Sequence, residues 1–112
     1  MSKFVEALDM YKKEMDRMGM KYDAALLEKV TKGLGPSIYN NDASKVSVTD
    51  PEEMARVKNN FLIKKLGMTD SSELDDAIKE VGEMFGTGNR NKYRAIFYYL
   101  LVKHFGAEAN YG

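Results

Sequence analysis

Cysteine is absent from this 112-residue chain, which excludes disulfide bridges and thiolate metal ligands and fits a reducing compartment. Histidine is nearly absent: His104 is the sole imidazole, so metal sites built on several imidazoles are excluded. Placed late in the last helical segment, His104 reads as a half-buried ring or a charge partner for a helix C-terminus. Long apolar runs are missing as well. The longest, at 95–102, falls far short of the roughly 20 residues that a membrane-spanning helix needs. The opening MSKFVE soon meets charge and offers no secretory stretch. There is no excess of charge either, since 17 basic residues balance 17 acidic ones and no net field draws the chain to nucleic acid or an anionic membrane. These absences lead us to expect a soluble, cytoplasmic protein without membrane contact. The length fits a single domain over 1–112 with enough buried surface for a core of its own.

What is present is helical periodicity. Phe4, Leu8, Tyr11, Met15 and Met18 recur at spacings of four and three, with Ser2 to cap the helix and Gly19 past its end. Asp23 caps a second, shorter helix that turns Leu26, Leu27 and Val30 inward and stops at the Gly33–Pro36 stretch. Residues 35–50 form one long irregular loop, with a single helical turn at Ser37-Ile38-Tyr39 and turn chemistry at Asn40-Asn41-Asp42. Val46-Ser47-Val48 alternates like a strand but has no partner strand, so it reads as extended loop. A connection this long in a small domain implies an ordered lid or a task. Asp50, Pro51 and Glu53 form a capping box for a third helix with Met54, Val57, Phe61, Leu62 and Leu66 inward. Asp70 and Glu73 open a fourth, carried by Leu74, Ala77, Ile78, Val81, Met84 and Phe85. After Gly86-Thr87-Gly88, with Asn89 or Asn91 as cap, the segment 93–105 is apolar on every side. A surface helix has one apolar stripe, so this one should be central, with the others packed around it. The fold class is therefore all-α: about five helices with the C-terminal one central, and a mobile tail at 107–112.

Chemistry is thinly supplied. Asp75-Asp76 and Glu52-Glu53 diverge on a helix and make no carboxylate dyad, and Ser37, Ser44, Ser71 and Ser72 have no base or nucleophile elbow nearby. Asn40-Asn41-Asp42 lacks the spacing of a calcium loop. No catalytic residue, metal site or cofactor is expected, and nothing points to an enzyme. The turn at 66–69 resembles that of a helix-turn-helix, but the following helix carries Glu73, Asp75, Asp76, Glu80 and Glu83, which phosphates would repel.

One charged feature stands apart. Gly88, Asn89, Arg90, Lys92 and Arg94 place glycine and cations at a helix start, the ingredients of an anion or partner site. Cations there oppose the helix dipole, so they call for a reason. Either they pair with the acidic fourth helix, or they bind a phosphate, nucleotide, nucleic acid or acidic partner, with Tyr93, Tyr98 or Tyr99 to stack on. No Gly-Lys-Ser/Thr closes the loop, so it is not a P-loop. Among the eight methionines, Met15, Met18, Met54 and Met84 read as core filler, whereas Met10, Met20 and Met68 fall off the helical spacing and suit a soft apolar patch for a partner or a second copy.

The blocks KGLGPSIYN at 32–40, VKNNFLIKKLG at 57–67 and RNKYRAIFYYLLVKHFG at 90–106 resemble a family of short bacterial proteins known only as a domain of unknown function. The resemblance implies a bacterial, single-domain protein and supplies no activity, ligand or site residue. The residues themselves favour a non-catalytic cytoplasmic interaction domain that binds a protein partner or itself. The alternative is an anion, nucleotide or nucleic-acid binder at the basic helix start, although nucleic acid is not the expected partner.

Overall fold

The apolar-all-round segment becomes the centre of the molecule. In the computed structural model, which describes residues 3–40, 44–86 and 92–111, the last helix runs Arg94–Phe105 and every residue of 95–102 is buried. Three helices pack on it: α1 (Lys3–Arg17), α2 (Ala24–Leu34) and α4 (Ser72–Met84), with Arg94–Phe105 itself as α5. Between α2 and α4 lie a 3-10 turn at Gly35–Tyr39, the short α3 (Pro51–Arg56) and a π-helical continuation of α3 at Val57–Lys65. No helix of the described residues is long and apolar enough to cross a membrane. Burial of one side of each outer helix around α5 makes one apolar core, the main favourable term in folding.

The expected caps are largely in place. The Asp23 carboxylate accepts from the Ala25 and Leu26 amides at 3.0 and 3.2 Å, and its own amide donates to the Tyr99 hydroxyl at 2.7 Å. The start of α2 is thus pinned to the central helix. Gly106 closes α5 in the left-handed conformation, φ 64°, that side chains resist. Beyond it Glu108–Tyr111 makes a 3-10 turn, and Tyr111 packs against the core beneath Lys65, whose Nζ lies 5.5 Å from the ring centre.

Four local expectations need correction. The third helix is not α-helical throughout: at Val57–Lys65 the bonding shifts to i→i+5, as in Leu66 N–H donating to the Phe61 carbonyl at 2.9 Å. With about 4.4 residues per turn, Val57, Phe61, Leu62 and Leu66 gather on one side, whereas at about 100° per residue they would spread over half a turn. Asp70 does not cap α4; Ser71 holds that position, and the Asp70 carboxylate meets Lys58 Nζ at 2.8 Å. Met84 is exposed rather than inward, because the buried stripe of α4 runs through Leu74, Ala77, Ile78 and Val81 to Phe85. Finally, α5 starts at Arg94 with Tyr93 in the cap position, while Asn89 and Asn91 lie outside the described residues.

The segment before α3 is ordered by α5. A single antiparallel rung joins Lys45 to Tyr93: Arg94 N–H donates to the Ser44 carbonyl at 2.7 Å and Val46 N–H to the Lys92 carbonyl at 2.8 Å. An exposed amide at a helix start is thereby satisfied by backbone instead of a side-chain cap. Ser44 and Val46 are buried in consequence.

Tyr11 is fully buried between α1 and Tyr93, with ring centres 5.1 Å apart, yet its hydroxyl has no hydrogen-bond partner among the described residues. Burial, with the Tyr93 and Tyr39 hydroxyls nearby, pushes its pKa up to about 12 from 10.0. Two results are expected. Tyr11→Phe removes a desolvated, unpaired group, so denaturant melts at neutral pH should show equal stability or a gain of up to about 1 kcal/mol. The neutral phenol is favoured in the fold, so this contribution is fully present below pH 10 and lost as pH rises from about 10 through about 12. The variant should therefore lose less stability than the parent across that window; a loss above about 1 kcal/mol at pH 7 would mean that the hydroxyl has a partner.

Candidate functional site

Of the sequence-predicted site, the described residues are Lys92 and Arg94. Gly88, Asn89 and Arg90 lie outside the described residues, and the two described members diverge in role. Arg94 turns inward. Its guanidinium meets a Glu53 carboxylate oxygen at 2.6 Å, donates to the Tyr98 hydroxyl at 3.0 Å and reaches the Lys45 carbonyl at 3.4 Å. The other Glu53 oxygen accepts from Arg56 at 2.8 Å. Glu53 is buried, and the Arg94 side chain is only 15% exposed. Tyr98 stacks on Phe61 of the π segment, ring centres 3.9 Å apart.

Glu53 therefore does not complete a capping box. The Asp50 carboxylate accepts from Glu52 N–H at 2.9 Å as expected, but the Asp50 amide donates to the Ser47 carbonyl at 3.2 Å. Burial pushes the Glu53 carboxyl up, yet the Arg56 and Arg94 guanidinium groups outweigh it and hold the carboxyl below its ordinary value. Arg94 in turn stays charged: burial disfavours its cation, but Tyr98 and Glu53 hold its pKa up. The cation at the unfavourable end of α5 pairs with α3, not with the acidic α4. Lys58 is held instead by Asp70, ahead of α4, at 2.8 Å and by Asp75 of α4 at 3.0 Å.

Lys92 instead borders a groove. About 610 Å³ in volume, it lies between α4 and the segment 48–54. Val48, Met54, Ile78 and Gly82 make its apolar floor, and Asp75, Lys79, Glu83 and Lys92 stand around it. Gly82 has a structural reason to lack a side chain. A Cβ there would come within 3.3 Å of Val48 Cγ1, tighter than ordinary contact, so the glycine lets the 48–54 wall settle against the helix. Glycine in a helix interior costs roughly 1 kcal/mol relative to alanine, which that close approach offsets. The groove wall is thus held from two sides, by Val48 on Gly82 and by Glu53 on Arg94.

The groove was not visible to sequence reasoning. Its one local signal is Gly82 amid strong helix formers; its other members only meet through the fold. Lys79 and Glu83 have no ion-pair partner among the described residues, although they face the same opening one helical turn apart. The volume and the mixture of an apolar floor with a few charges are those of a binding cleft, and no nucleophile–base pair lines it.

The sequence matches no curated protein. A match to the family described as "Protein of unknown function (DUF2853)" covers residues 10–109, nearly the whole chain, and the protein belongs to that family.

Proposed function

We propose that this protein is a non-catalytic, cytoplasmic interaction domain that takes an amphipathic segment of a protein partner, or of a second copy, in the groove between α4 and 48–54. The observation that carries this reading is the groove itself. An apolar floor supplies affinity, and two opposite charges one turn apart, Lys79 and Glu83, supply orientation. The charges around the groove suit recognition of a partner's side chains. The alternative, anion binding at the start of the last helix, retains Lys92 as its described cation outside the Arg94–Glu53 pair.

One titration separates the two. Isotope-labelled protein is mixed with a short helical peptide carrying methionine between an acid and a base spaced four residues apart, and separately with inorganic phosphate. The interaction reading predicts amide shifts at Val48, Thr49, Lys79, Gly82 and Glu83 with the peptide, abolished by the single reversal Lys79→Glu, which sets the peptide's acid against an acid in either orientation. Shifts confined to Lys92 and Tyr93 with phosphate, and none in the groove with peptide at millimolar concentration, would overturn it.

A further inference from the structure

We infer that the groove receives a second copy of this chain, through the α1 face that carries Asp9, Met10 and Lys13. The inference rests on the groove being the binding surface. Its own warrant is complementarity between two surfaces of the molecule. Met10 is 42% exposed, one of four large hydrophobic side chains left so on the described surface, and it sits on α1 among Glu6, Asp9 and Lys13. Neither Asp9 nor Lys13 has an ion-pair partner among the described residues, and the same is true of Lys79 and Glu83.

The two sets match in register. Asp9 precedes Lys13 by four residues, and Lys79 precedes Glu83 by four, so each pair of charges is separated by about 6 Å along its helix. With α1 of one copy laid parallel to α4 of the other, Asp9 faces Lys79 and Lys13 faces Glu83. Met10, whose sulfur accepts from the Tyr93 hydroxyl at 3.5 Å, then lies over the apolar floor at Ile78 and Met54, where a flexible thioether can adapt to an irregular surface. The antiparallel arrangement sets like charges against each other, which defines the orientation. The contact joins unlike surfaces, so it either closes reciprocally in a dimer or propagates from copy to copy. One helix face against one groove is a small interface, and the association should be transient.

Sedimentation velocity on the full chain, from about 5 µM to about 1 mM, tests this. The sedimentation coefficient is expected to rise with concentration. Lys13→Glu and Glu83→Lys, both at exposed positions, should each shift that rise to at least about tenfold higher concentration, because each sets like charges together. The double variant carrying both should return toward the parent, since the swapped charges again pair. A chain that stays monomeric throughout, or an association indifferent to both reversals, overturns the inference. If groove amides still respond to the amphipathic peptide in that case, the self-docking proposal alone has failed; if they do not, the interaction reading fails with it.

Discussion

Glu53→Ala should cost about 3–5 kcal/mol, a large part of the roughly 5–15 kcal/mol available to a small domain. The carboxylate neutralises two guanidinium groups, and the one that matters most, Arg94, is largely shut off from water. Removing the acid leaves that cation in place without its counter-charge, and an uncompensated buried charge is more costly than the lost pair was favourable. Because the carboxyl is held below its ordinary value, its contribution is fully present above the unfolded-state pKa, about 4.3, and is lost as pH falls through the lower folded value. Equilibrium denaturation should therefore show a wide gap between parent and variant at pH 7 that narrows below about pH 4. A gap under about 1 kcal/mol at pH 7 would mean that solvent screens this cluster as it does a surface pair.

Phe97→Ala is expected to be comparably severe, about 3–5 kcal/mol by chemical denaturation. Phe97 is fully buried on the central helix and stacks on Phe85, ring centres 5.9 Å apart and planes within 11°. It also lies beneath Gly82, with its ring edge 4.0 Å from where a Cβ would stand, so the cavity would open below the groove floor. Exposed changes such as Lys29→Ala should stay within roughly ±0.5 kcal/mol. If Phe97→Ala proved as mild as Lys29→Ala, the last helix would not be the centre of the core.

The central helix was legible because eight consecutive apolar residues leave no polar face to put outside, whatever surrounds them. The Asp23 and Asp50 caps were legible because capping is decided within three residues. Glu53 misled for the same reason: its spacing from Asp50 satisfied a local rule, while its actual partner, Arg94, lies far along the chain. The π segment left a trace in the five-residue separations of Val57 from Leu62 and of Phe61 from Leu66. That trace is invisible when the pattern is tested only at the α-helical period. The groove was illegible because no single segment contains it. Its floor comes from α3, α4 and the irregular segment before α3, which meet only once the Lys45–Tyr93 rung has placed that segment across the start of α5.

Arg94, a cation at a dipole-opposed helix end, is paired with Glu53 at 2.6 Å, and we propose that it tethers the groove wall. Arg94→Gln tests this most directly, with stability and phosphate titration read on the same sample. The tether predicts a loss of about 1.5–3 kcal/mol in denaturant melts, for one charged hydrogen-bonded contact with Arg56 still beside Glu53, together with shifted amides at Ser44, Val46 and Val48. It also predicts no change in the response to phosphate. Equal or higher stability in the variant, with a phosphate response present in the parent and abolished by the substitution, would contradict it.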